Sequence, residues 1–144
     1  MKTLLITGGP AVGKSFLLMH LAQHCRLHVL EPEITSAPFW VPPQGLVDAV
    51  VLDHFAGAPN IAEIIKAAMR WCEVNNCPII FACQAGSSLS DVLRVLPDDL
   101  LVLSLERDYS TNRVRVTNVH EVEELSLESL TQRVIGLIGI EAKR

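Results

Sequence analysis

KTLLITGGPAVGKSFLL, residues 2–18, joins three kinds of local structure within a short length of chain. Its first part, Lys2–Thr7, is an apolar run of the kind that forms a buried strand. Two glycines end that run, and from Lys14 to Cys25 apolar residues recur on one helical face. A strand that leads through a glycine-rich turn into an amphipathic helix is typical of α/β proteins.

The turn itself carries a motif. Residues 8–15, GGPAVGKS, fit the Walker A pattern G-x-x-x-x-G-K-S, in which the glycines let the backbone wrap closely around an anion. Lys14 would neutralise the β- and γ-phosphates, and the Ser15 hydroxyl would bind Mg²⁺. The sequence therefore predicts ATP and Mg²⁺ as cofactors. The predicted nucleotide contacts are Gly8, Gly9, Pro10, Ala11, Val12, Gly13, Lys14, Ser15 and Phe16.

Composition narrows the class of protein. The chain has 144 residues, of which 49% are hydrophobic but only 5% aromatic, so its core is built from aliphatic side chains. That suits a single domain in which helices cover both faces of a sheet, and it excludes a disordered chain. No apolar run reaches the roughly 18 residues of a membrane span, and we expect a cytoplasmic protein without membrane contact. Four cysteines without a CxxC pair agree with a reducing compartment.

Strands and helices alternate along the first two thirds of the chain, which predicts a three-layer α/β sandwich with a mostly parallel central sheet. Asn60 is expected to cap the second helix, with Glu63 at the capping-box position. Further strands are predicted at Leu27–Leu30, Leu46–Leu52, Pro78–Cys83, Leu100–Leu105 and Arg113–Val119, and helices from Asn60 to Trp71 or Glu73 and from Ser126 onward.

An aspartate follows the third predicted strand. Asp53 comes directly after the apolar run that ends at Leu52, which is the place of a Walker B carboxylate that holds Mg²⁺ through water. Asp48 is less suitable because it precedes the carboxyl end of the strand, where ligands bind in such sheets.

Residues 50–84, VVLDHFAGAPNIAEIIKAAMRWCEVNNCPIIFACQ, resemble the middle of a RecA-like ATPase core, and the resemblance extends over Met1 to about Val119. In that family a Walker B strand and a helix precede a strand that ends in a polar residue, often Gln. Gln84 stands at that position, and the resemblance implies that it senses the γ-phosphate. The chain is accordingly interpreted as one P-loop NTPase domain over residues 1–144, with a proline-rich loop at 31–45 and a C-terminal helix at 126–144.

A catalytic base is expected at the end of the second strand. RecA-like enzymes place a glutamate there to polarise the attacking water, and Glu31 directly follows Leu30. Glu33 and His54 are the alternatives, and both glutamates also fit a reading as solvated loop carboxylates. Catalytic residues are thus predicted to be Lys14, Glu31 and Gln84, with Ser15 and Asp53 at the metal.

Hydrolysis in this family usually needs a cation from a neighbouring subunit. Arg107, Arg113 and Arg115 are the candidates, and the last two share one face of a predicted strand. They fit a finger or a nucleic-acid contact as well as the charged outer face of an edge strand. Phe39 and Trp40, in the proline-rich loop, would either stack a base or dock a partner, or fold back over the sheet.

These features lead to one main expectation and two alternatives. The main one is a minimal ATPase that acts as an oligomer, or with a protein partner, in replication, recombination, packaging or plasmid maintenance. With a net charge of −4, a nucleic-acid partner would need a local basic surface. The alternatives are a nucleotide-dependent switch with weak hydrolysis and a small-molecule or nucleotide kinase.

Overall fold

The computed structural model describes residues 3–8, 14–32, 40–53, 55, 60–84, 94, 96, 100–108, 113–117 and 122–138. The helices of this part are α1 (Lys14–His24), α2 (Ile61–Val74) and α3 (Leu127–Ile138). The strands are β1 (Thr3–Gly8), β2 (Leu27–Leu30), β3 (Ala49–Asp53), β4 (Ile79–Gln84), β5 (Leu101–Asp108), β6 (Arg113–Thr117) and β7 (Val122–Leu125). Within the described residues, no helix is both long enough and apolar enough to cross a membrane.

One sheet contains all seven strands, in the order β2-β3-β4-β1-β5-β6-β7. The first five of these run parallel, whereas β6 and β7 are antiparallel to their neighbours. The N-terminal strand β1 therefore lies inside the sheet, between β4 and β5. This arrangement confirms the predicted α/β fold with a mostly parallel central sheet.

The direction of each crossover explains which face its helix covers. The connection from β1 through α1 to β2 moves one way across the sheet, and the connection from β3 through α2 to β4 moves the other way. Because parallel crossovers are right-handed, the two helices must lie on opposite faces. The core is divided accordingly, since α1 packs with α3 in one apolar cluster while α2 belongs to the other.

Side chains alternate between these two clusters along each central strand. Leu4 and Ile6 of β1 face the α1 side, and Leu5 faces the α2 side. All three are essentially inaccessible to water, because helices cover both faces of the parallel strands.

Two local predictions were wrong in detail. The third strand begins at Ala49 and not at Leu46, whose side chain is 87% exposed. Asp48, the residue before the strand, lies in a bend, and its carboxylate accepts a hydrogen bond from the Arg26 N–H over 2.7 Å. Asn60 precedes α2 as expected, but its backbone is left-handed (φ 58°) and its side chain makes no capping hydrogen bond.

The chain after β5 differs from the predicted final strand pair. Val122–Leu125 forms a seventh strand against β6, so β6 is paired on both sides and is not an edge strand. The C-terminal helix begins at Leu127 and is described as far as Ile138, and residues 139–144 of the predicted helix lie outside the described residues.

Candidate nucleotide site at the carboxyl edge of the sheet

The carboxyl ends of the parallel strands bring the predicted site residues to one edge. Gly8, the first residue of the Walker A motif, ends β1 and pairs with Gln84 at the end of β4. The backbone thus sets Gln84 directly beside the start of the phosphate-binding motif.

Asp53 ends β3, on the other side of β4 from β1. It pairs with Ala82 and has the parity of Val51, so it lies on the α1 side of the sheet. Two strand spacings separate it from β1, which corresponds to about 10 Å between the backbones. Asp53 therefore lies at the same edge of the sheet as the start of the Walker A segment, with β4 between them.

Glu31 is the lateral neighbour of Asp53. Leu30 pairs with Leu52, so each carboxylate comes one residue after a paired leucine on adjacent strands. Both residues are half-buried. Glu31 lies three strand spacings from β1, about 14 Å between backbones, which is farther from the motif than Asp53.

Part of the predicted nucleotide site has no described geometry. Gly9–Gly13 lie outside the described residues, as do Glu33, Phe39 and His54. Lys14, Ser15 and Phe16 form the first turn of α1, and only their backbone is described. Their placement still matters, because a helix that begins at Lys14 has its free amides and the positive end of its dipole at the motif.

The residues available for a metal fit Mg²⁺ bound together with a nucleotide. Among the described residues, no group of three His, Cys, Asp or Glu side chains is arranged to hold a metal ion by itself. Mg²⁺ usually keeps several waters and takes one or two protein oxygens in addition to substrate phosphates. The hydroxyl of Ser15 and the carboxylate of Asp53 are oxygen donors of that kind.

The three candidate arginines differ in their placement. Arg107 pairs with Val114 of β6 and lies two residues beyond Leu105, the partner of Gly8. Arg115 stands opposite Glu106 on β5 and Glu124 on β7, and Arg113 stands opposite Asp108. Opposite charges at facing positions favour strand pairing, which is a structural reason for arginine at these two positions of β6.

Trp40 folds back onto the protein, which was one of the two alternatives for the proline-rich loop. Its ring meets His28 of β2 edge-on (5.6 Å between centroids) and lies 6.2 Å from Trp71 of α2. His28 Nε2 also donates a hydrogen bond to the carbonyl of Val41 over 2.8 Å. Trp40 and Val41 thereby lie on the α2 side of the sheet, and nothing in the local sequence signals this contact.

Comparisons with known proteins add a distant likeness of fold. Neither the known protein families nor the curated proteins include a match to this sequence. Among solved structures, the chain is similar to a KaiC-like protein of the hyperthermophilic archaeon Pyrococcus horikoshii OT3. The two share 12% identity with a TM-score of 0.49, over 85% of this chain and 84% of that one. At this identity a similar backbone indicates nothing about ligands, so the site is judged on its own residues.

Proposed function

We propose that the chain binds ATP with Mg²⁺ and hydrolyses it, as a RecA-like ATPase that works with neighbouring subunits or a protein partner. One observation carries the proposal. The strand order and side-chain alternation put Asp53 at the same edge and on the same side of the sheet as Gly8 and the start of α1. A Walker A motif with a carboxylate in that relation has the parts that Mg²⁺-nucleotide binding requires.

Each residue has a separate task in this proposal. The amides at the start of α1 and the Lys14 ammonium bind the phosphates. Ser15 and Asp53 hold the metal, Asp53 through water, and bound Mg²⁺ would neutralise charge that develops on the phosphate oxygens. Glu31 orients a water and accepts its proton, and Gln84 reports the γ-phosphate to the adjoining loop.

The first test removes the phosphate-binding charge. Lys14→Ala should abolish tight ATP binding, measured by calorimetry or by a fluorescent nucleotide, because the β- and γ-phosphates lose their counter-charge. Lys66→Ala is the matched control, since Lys66 is an exposed lysine of α2. Unchanged affinity in Lys14→Ala would overturn the proposal.

A second substitution separates binding from hydrolysis. Glu31→Gln should retain ATP binding and lose turnover by about 10²–10⁴-fold, because a neutral amide cannot accept the proton of water. Glu63→Gln, at an exposed glutamate of α2, is the control. If turnover survives in Glu31→Gln, the base is Glu33 or His54.

A third experiment tests stimulation by nucleic acid and self-association of the chain together. Steady-state ATP turnover per chain should rise with protein concentration or with one of single- or double-stranded DNA or RNA, with mass in solution measured in parallel. A chain that stays monomeric and inactive with every polymer contradicts the role in a nucleic-acid process. Retained binding without turnover would favour the switch, for which the roughly 14 Å between Glu31 and β1 is the supporting observation.

A further inference from the structure

The end of α2 forms a tight hydrogen-bonded turn. Asn76 adopts a left-handed backbone (φ 49°) after the C-cap residue Asn75. The Cys77 N–H donates to the Cys72 carbonyl over 2.8 Å, and the Asn76 N–H donates to the Glu73 carbonyl over 3.3 Å. This pair of bonds around a left-handed residue is a Schellman motif.

That motif brings two particular side chains together. The residue two positions after the C-cap packs against the residue three positions before it, and the contact is usually hydrophobic. Here the two positions are Cys77 and Cys72; both side chains are buried, and the Cys77 thiol donates to the Pro78 carbonyl over 3.6 Å. The geometry of the helix end thus creates a dithiol from cysteines that are five residues apart in sequence.

The two thiols are electrostatically unequal. The hydrogen bond from Cys72 lowers the pKa of the Cys77 thiol, with help from the backbone of Val50, although burial and the nearby Asp48 carboxylate act in the opposite direction. The pKa of Cys72 is raised, first by its hydrogen bond to Cys77 and then by burial. Cys77 is therefore the more nucleophilic thiolate of the pair, and Cys72 is its proton-bearing neighbour.

Access also differs between the two. Cys72 is fully buried, whereas 5% of Cys77 is exposed where it leaves the turn. Glu73, Val74, Asn75 and Asn76, which precede Cys77, are all exposed. Cys77 is consequently the nearer of the two thiols to solvent.

We propose that Cys72 and Cys77 form a redox-responsive dithiol that a small-molecule disulfide converts into an intramolecular disulfide. The Cys77 thiolate attacks the small disulfide, breaks its S–S bond and releases one thiol. Cys72 then loses its proton and attacks the Cys77 sulfur of the mixed disulfide, which releases the second thiol. Two cysteine thiols are oxidised, and one small disulfide is reduced to two thiols.

The other two cysteines provide internal controls. Cys25 lies in the opposite apolar cluster, and its thiol donates to the Leu21 carbonyl over 3.1 Å. Cys83 lies near the other end of β4 from Cys77. The dithiol is therefore at the amino end of β4, away from the carboxyl edge, and its test does not depend on ATP binding.

The experiment treats the folded full-length chain with oxidised glutathione and alkylates the remaining thiols before mass spectrometry. Two of the four thiols should disappear, with a mass loss of about 2 Da before alkylation. Cleavage after Glu63, Glu73 and Phe81 puts each cysteine on a separate peptide, and the peptides of Cys72 and Cys77 should stay joined until a reductant is added. Cys25→Ser should lose the same two thiols.

Single variants test the order of the steps. Cys72→Ser should stop at one glutathione attached to Cys77, and Cys77→Ser should not react at Cys72. Should either serine variant fail to fold, fragment mapping of the unsubstituted chain decides alone. Retention of all four thiols, or a bond that includes Cys25 or Cys83, would overturn the proposal.

Discussion

At the scale of single residues, the least satisfied group described is the hydroxyl of Thr7. Thr7 lies one residue before Gly8, is 4% exposed, and its Oγ1 has no hydrogen-bond partner. Its side chain is on the α2 side of β1, between Cys83 of β4 and Ser104 of β5. A buried hydroxyl without a partner costs about 1–3 kcal/mol of desolvation free energy.

Thr7→Val should therefore raise the free energy of unfolding by about 1 kcal/mol, because it replaces the unpaired hydroxyl by a methyl group of similar shape. Urea titration followed by far-UV circular dichroism measures the change. Thr7→Ser is the matched control: it keeps the hydroxyl, loses a methyl group and should be less stable. A less stable Thr7→Val would mean that the hydroxyl has a partner in the folded protein.

At the scale of elements, the turn after α2 depends on one left-handed asparagine. Asn76→Ala should lower the free energy of unfolding by about 1 kcal/mol, since a β-carbon without a compensating polar group disfavours φ 49°. Asn76→Gly should retain or raise stability, because glycine adopts this conformation without strain. Equal stability of the two variants in urea titration would show that the turn relaxes away from the left-handed conformation.

The proline-rich loop provides a second prediction at this scale. Trp40→Ala should emit at longer wavelength than Trp40→Phe, because only the phenylalanine variant keeps a ring that covers Trp71 from water. These are the two tryptophans of the chain, so each of these variants contains one reporter. Val41→Ala, at an exposed side chain of the same loop, should leave the emission unchanged.

Local patterns predicted the elements but not their partners. The apolar runs at Leu4, Val51 and Ile80 identified β1, β3 and β4, since strands buried on both faces are continuously hydrophobic. The strand at Val122–Leu125 was not predicted, because two of its four residues are glutamates and its pairing with β6 depends on the rest of the sheet.

For the candidate site, too, the sequence indicated the individual residues but not which of them lie side by side. Asp53 and Glu31 were recognisable as residues that follow strands, yet their position side by side comes from the β2–β3 register, which local sequence does not encode. The contact of Cys72 with Cys77 was indicated only weakly in the sequence, by the two asparagines between them, since asparagine is common at helix ends. Predicting the contact would have required knowing that the backbone of Asn76 is left-handed.

At the scale of the whole molecule, the central strands lie between the two apolar clusters and contribute side chains to both. Val134 of α3 is fully buried on the α1 side, whereas both tryptophans lie on the α2 side. Val134→Ala should lower the free energy of unfolding by about 2 kcal/mol, through lost burial and the cavity left behind. Tryptophan fluorescence and circular dichroism should report the same shifted midpoint. Separate midpoints would mean that the two sides unfold independently.

The central position of β1 has a consequence for synthesis on the ribosome. β1 is the first strand to be made, yet its neighbours β4 and β5 end at residues 84 and 108. At about 5–20 residues per second, roughly 4–15 s pass between the synthesis of Gly8 and that of its partner Gln84. Throughout that interval a strand that is buried in the folded protein lacks its neighbours in the sheet, which exposes Leu4, Leu5 and Ile6 to aggregation or to chaperones.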